Sequence, residues 1–150
     1  MTVDLDKVRQ KLQYIRSQVR DLQWFLDMEE DRFSRNTYYV AAATRMLQIA
    51  IEAMLDLCAH IIAREGWGLP KSYREIVLVA AEHGLIPAEL RDRYVEMTRF
   101  RNCVVHLYDD VEGAEVLRFI KEHLSDFRPL VATVVRRYLG GEPLDHNPGS

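Results

Sequence analysis

Hydrophobic residues recur along this chain at alternating intervals of three and four, the period of a helix packed along one face. From about residue 4 to residue 27, Leu5, Val8, Leu12, Ile15, Val19, Leu22 and Leu26 form a narrow seam of the coiled-coil kind. A second, longer helix is predicted to start near Ser34 or Asn36 and to run to about residue 64. Both are good N-caps, because a short polar side chain accepts from the free N–H groups of a first helical turn. Leu69, Pro70 and Lys71 lead into a third helix, where Ser72 and Glu75 have capping-box spacing and Gly84 marks the stop. Pro87 suits the first turn of a fourth helix, which carries Arg101. The fifth is expected from about residue 113 to residue 139, with Val116, Ile120, Leu124, Phe127, Val131, Val134 and Tyr138 on its apolar face. Pro129 lacks a backbone donor and is expected to kink it. No segment alternates with the period of a strand. The pattern predicts an all-α, single-domain, up-and-down bundle of about five helices over residues 1–139. Residues 140–150, with two prolines, three glycines and no periodicity, read as a flexible tail.

Composition narrows the class. At 150 residues, 48% hydrophobic and 29% charged, the chain is one globular domain long enough to bury a core. No uninterrupted run of about 18 apolar residues occurs, so no membrane span is expected. The amino terminus lacks the apolar stretch of a secretory signal. Cys58 and Cys103 lie in apolar stretches without metal-ligand spacing and read as reduced small hydrophobes. Together these features point to the cytoplasm. A net charge of −3 argues against charge-driven binding to a long nucleic acid, but leaves room for a local basic cleft.

The chemistry concentrates in residues 101–110. On a helix, Leu90, Tyr94, Met97, Val104 and Tyr108 share one stripe, and Arg101 falls within roughly 20° of its middle. A guanidinium stays protonated, so a buried one needs anionic or hydrogen-bonding partners. Nothing on its own face supplies them, which suggests an arginine awaiting a ligand. Arg101 and Tyr108 are two turns apart on one face, and Asn102 and His106 stack four apart on another. His106 sits about 140° around from Arg101, so the two converge only if the helix ends or bends there. Asp109, Asp110 and Gly113 make such an end plausible. A cation, an imidazole, an amide and a phenol along one edge suit a phosphodiester: the arginine holds the phosphate and the histidine moves protons. A lone histidine at a helix end is also a common helix-capping group.

The second helix carries a polar stripe, Arg45, Gln48, Glu52, Asp56 and His60, through otherwise apolar surroundings. Such a line faces solvent or walls a groove. Glu52, Asp56 and His60 have no compact metal-ligand motif, and no metal is assigned to them. Gly-rich phosphate loops and nucleophile elbows are absent from the sequence.

The helix order, the segment YVAAATRMLQIAIEAMLDLCAH at 39–60 and above all RNCVVHLY at 101–108, followed by acidic residues, resemble the HepT-like branch of the HEPN superfamily. The resemblance covers about residues 5–139. It implies a toxin of a two-gene toxin–antitoxin system: a metal-independent endoribonuclease, cofactor-free, built as a homodimer with two motif copies facing one cleft. It further implies His106 as general base or acid on the ribose 2′-hydroxyl, Arg101 stabilising the charged phosphorane and Asn102 orienting His106 or the phosphate, with 2′,3′-cyclic phosphate ends. Arg45, Gln48 and Glu52 become cleft-lining residues. The implied partner is a minimal nucleotidyltransferase antitoxin that transfers AMP from ATP to Tyr108 and so blocks the cleft. Cys103, Val104 and Val105 stand where relatives often carry a basic or longer residue, and Leu107 where a small or polar one is frequent, which leaves the cleft less basic. The alternative is a non-catalytic dimer that binds a nucleotide or the nucleotidyltransferase.

Overall fold

Asn36 rather than Ser34 starts the longest helix: its side-chain oxygen accepts from the Tyr38 and Tyr39 amides at 3.0 and 3.2 Å. The computed structural model describes residues 2–106 and 111–141. The described residues form helices α1 (Leu5–Leu22), α2 (Glu30–Arg35), α3 (Thr37–Glu65), α4 (Tyr73–Glu82), α5 (Arg91–His106), α6 (Gly113–His123) and α7 (Phe127–Tyr138), and no strand. Short 3-10 turns at Gln23–Phe25, Ala88–Leu90 and Leu124–Asp126 join some of them. The bundle is all-α, as expected. Leu107, Tyr108, Asp109 and Asp110, and the predicted tail from residue 142 onward, lie outside the described residues.

The core is organised around α3, which packs against α1, α2, α4, α5 and α6. It buries Leu47, Ile51, Met54, Leu55, Leu57, Ile61 and Ile62, each contributing about 1.5–3 kcal/mol of apolar transfer. Gly66, with φ 72°, ends it in the left-handed conformation that a side chain would disfavour. By length and hydropathy α3 could cross a membrane, with a window of mean hydropathy 1.6. Its burial against five neighbours marks it as a core helix. The α1 seam docks on it through Val8, Leu12, Ile15 and Leu22, while Leu5 at the open end stays exposed.

Two elements depart from the pattern read in the sequence. Helix α2 is an addition; at six residues it is too short to show a period, and it anchors itself with buried Phe33. The predicted fifth helix is two, α6 and α7, separated by the turn at Leu124–Asp126. Pro129 lies in the first turn of α7, so a continuous helix would set its ring against the Ser125 carbonyl four residues back, and the chain breaks there instead. Cysteine placement also splits. Both are free thiols; Cys58 is buried, which pushes its thiol up to about 12, whereas Cys103 is exposed and does not pack as a small hydrophobe.

Candidate active site at the end of α5

The surroundings of Arg101 are assembled from three helices. Ser72 caps α4 by accepting from the Glu75 amide at 3.1 Å. The returning Glu75 carboxylate accepts from the Lys71 amide at 2.6 Å, one residue earlier than the usual reciprocal bond. This cap holds Tyr73, the first residue of α4, under the Arg101 guanidinium, whose carbon lies 4.8 Å from the ring centre. From α3, the Glu52 Oε1 accepts from Arg101 Nε at 3.0 Å and from Gln48 Nε2 at 3.1 Å. Along α5 itself, Arg101 Nη1 donates to Asn102 Oδ1 at 3.3 Å.

Arg101 is therefore not the unpartnered cation that its own helix face suggested. Its partner comes from α3, across the α3–α5 contact, where a reading of one helix face cannot see it. The Arg101 and Glu52 side chains are 18% and 30% exposed, and a pair this open to water contributes at most about 1 kcal/mol. Its consequence is orientation rather than stability.

The polar stripe of α3 divides between two environments. Its first half reaches the end of α5: Arg45 and Gln48 help line an open groove of about 610 Å³, together with Thr44, Val104, Val105 and Gly113. Glu52 joins Gln48 to Arg101, as above. The second half turns to α1, where Asp56 accepts from Lys11 Nζ at 3.3 Å and His60 Nε2 accepts from the Asp4 amide at 3.1 Å. The latter bond fixes the neutral tautomer with its proton on Nδ1. Burial first, then the neighbouring Lys7 and Arg64, lower the pKa of His60, with Asp4 opposing them. Glu52, Asp56 and His60 thus have three different partners instead of one shared ligand.

His106 is the last described residue of α5, so whether the helix ends or bends there, as convergence with Arg101 requires, lies outside the described residues. His106 and Asn102 are exposed, and buried Val104 lies between them. Five residues of helix place Arg101 and His106 about 140° and about 7.5 Å apart along one chain. Neither lines the groove itself; Val104 and Val105, between them, do. Tyr108 lies outside the described residues.

Two contributors escaped the sequence reading. Tyr73 was not singled out in the sequence; the capping box beside it was the available signal. The other is a network at the opposite end of α5. Asp126 accepts from Arg93 Nε at 2.9 Å and faces His123 Nδ1 at 2.8 Å, and Tyr94 donates its hydroxyl to the Asp126 carbonyl. His123 Nε2 lies 3.2 Å from Glu96. Burial raises the Tyr94 phenol well above its ordinary range. This network pins the start of α5 to the α6–α7 turn, leaving the other end to carry the exposed groups.

A family model described as Ribonuclease HepT-like matches residues 15–134. The chain belongs to the HepT-like ribonuclease family. Among its relatives, the mRNA nuclease HepT of Shewanella oneidensis is 31% identical over 88 residues, which make up 59% of this chain and 66% of that protein. The aligned segment thus spans slightly less than two thirds of that nuclease. The tRNA nuclease HepT of Aphanizomenon flos-aquae is 23% identical over 132 residues, 88% of this chain and 89% of that one. Among solved structures, the tri-AMPylated Shewanella oneidensis HEPN toxin in complex with MNT antitoxin superposes with a TM-score of 0.79. The identity there is 24%, over 88% of this chain and 98% of the toxin, a likeness of fold. This HepT-like chain therefore has the HEPN architecture that its motif implied.

Proposed function

We propose that this protein is the ribonuclease toxin of a toxin–antitoxin pair and cleaves RNA at a site built on Arg101 and His106. Its membership of a ribonuclease family supports the reaction class. The observation that carries the assignment of residues is the later part of α5: an arginine held by Glu52 and Tyr73, and five residues on, in the same helix, an exposed histidine. His106 takes the proton of a ribose 2′-hydroxyl, and the oxygen attacks the adjacent phosphorus. The 5′-oxygen leaves and takes up a proton, giving a 2′,3′-cyclic phosphate and a 5′-hydroxyl end. Arg101 neutralises the extra negative charge of the phosphorane, and Asn102, already bonded to Arg101, keeps the phosphate or His106 in line. Proton transfer and charge neutralisation complete this route without a metal.

One chain holds Arg101 and His106 on different sides of a helix, so a homodimer that brings two copies of α5 to one cleft completes the site. Arg45 and Gln48 then line the approach for RNA. The partner is a nucleotidyltransferase antitoxin. The Tyr108 oxygen attacks the α-phosphorus of ATP and releases pyrophosphate, and each AMP added brings a negative phosphate that competes for Arg101. A second reading, a dimer that binds a nucleotide or the transferase without cutting RNA, draws on the Glu52 carboxylate, which cancels the charge of Arg101.

The test is to incubate wild type and His106→Ala with mixed cellular RNA in EDTA and to analyse fragment ends. Cyclic phosphate ends from wild type alone are expected. Equal cleavage by both proteins removes His106 from the mechanism, and no cleavage by folded, unmodified wild type leaves the binding module.

A further inference from the structure

We infer that Glu52 is a positioning residue for Arg101: its carboxylate and the Tyr73 ring hold the guanidinium so that only its outer Nη edge is left for a phosphodiester. This rests on the reading of Arg101 as the phosphate-holding group. A guanidinium has five N–H donors in a planar fork and can offer a phosphate either its Nε side or its outer edge. Here the Nε–H is taken by Glu52 at 3.0 Å, and one Nη1 donor points to Asn102 at 3.3 Å. Tyr73 covers one face at 4.8 Å. Among the described residues, the Nη2 donors and the second Nη1 donor have no such partner.

Glu52 is itself held. Gln48, one turn earlier on α3, donates to the same Oε1 at 3.1 Å, which ties the carboxylate to α3. Gln48 also lines the groove, which links the polar wall of α3 to the orientation of the arginine on α5. A carboxylate next to a phosphate-binding cation is costly for substrate affinity, because like charges repel. Retaining it is consistent with a gain in geometry: a transition state is recognised only by groups already aimed at it, and a misplacement of about 1 Å lowers rate by up to about 100-fold. Glu52 therefore weakens ground-state binding while favouring turnover, a combination that separates KM from kcat.

Two variants make this testable. Glu52→Ala removes the acceptor and the charge; Glu52→Gln removes the charge but keeps an oxygen for the Arg101 Nε–H. The side-chain Nε–H signal of Arg101, observed by NMR with isotope-labelled arginine and assigned by its loss in Arg101→Lys, reports the hold directly. In wild type and Glu52→Gln it should be protected from exchange with water, and in Glu52→Ala it should exchange freely. In RNA cleavage, Glu52→Ala should lower kcat by up to about 100-fold without raising KM. Glu52→Gln should recover most of that rate with a KM below wild type. An Nε–H equally protected in Glu52→Ala overturns the inference, as does an unchanged kcat in that variant or a Glu52→Gln enzyme as slow as Glu52→Ala. If wild type cleaves no RNA, the ribonuclease reading fails, and the exchange measurement still decides whether Glu52 holds Arg101.

Discussion

The two ends of α5 are built on opposite plans. At its start, Arg93, Tyr94 and Glu96 engage Asp126 on the turn between α6 and α7 and His123 at the end of α6. The two central groups are nearly dry, with His123 and Asp126 side chains 4% and 8% exposed. At its finish, Asn102 and His106 are exposed, and Arg101 is only partly enclosed. A polar network with a buried centre fixes a helix in place, even though its outer members Arg93 and Glu96 are 43% and 57% exposed. An open end has donors to spare but needs something rigid behind it. The same helix supplies both, and this separates stability from chemistry along its length.

That separation can be broken from either side. The largest effect is expected at the open end: Arg101→Ala and His106→Ala should each lower RNA cleavage by about 10²–10⁴-fold, with thermal unfolding within a few degrees of wild type. At the closed end, Asp126→Ala should cost about 3 kcal/mol, because it strips a buried carboxylate from Arg93 and His123. Denaturant titration measures that loss, and cleavage per folded molecule should stay near wild type. If Asp126→Ala abolishes cleavage in a fully folded protein, or His106→Ala unfolds the domain, the division is wrong.

A smaller effect tests the boundary between the two regions. Gly113 opens α6 against the start of α3, on the rim of the groove. A Cβ there would lie 3.0 Å from the Ser34 backbone and 3.0 Å from the Val40 side chain. Gly113→Ala should destabilise by about 1–3 kcal/mol through overpacking, and should raise KM more than it lowers kcat, since the groove and not Arg101 is displaced. An unchanged unfolding midpoint would show that the rim yields without cost.

Much of this was legible in the sequence, and what was not has a common cause. Period placed α1 and the buried face of α5, and cap and stop signals placed α3 and α4, because each is a property of one helix. It also gave the RNCVVHLY string at 101–108 that identified the family. What it could not give was register between helices. Glu52 and Arg101 were each visible on their own stripes, but a spacing of 49 residues carries no signal that they meet. The same holds for Arg93 and Asp126. Where local chemistry did carry information, it acted one turn away from the obvious place: Pro129 broke the last helix at residues 124–126 rather than bending it.

The two halves of the α3 stripe extend the comparison to pH, with the smallest effect. His60, on the half that faces α1, accepts the Asp4 amide and is buried as the neutral form. Its folded pKa lies below the ordinary 6.5, so between the two values the unfolded chain binds more protons than the native one. Stability from this group is complete above about pH 6.5 and declines as pH falls toward the folded value, because a protonated Nε2 can no longer accept from Asp4. His60→Gln, which has no charge to gain, should flatten that part of the curve. The measurement is the difference in unfolding free energy between the two proteins across that window, which cancels the titration of the other histidines. Parallel curves would mean that the start of α1 is held by its apolar seam, with no contribution from the hydrogen bond.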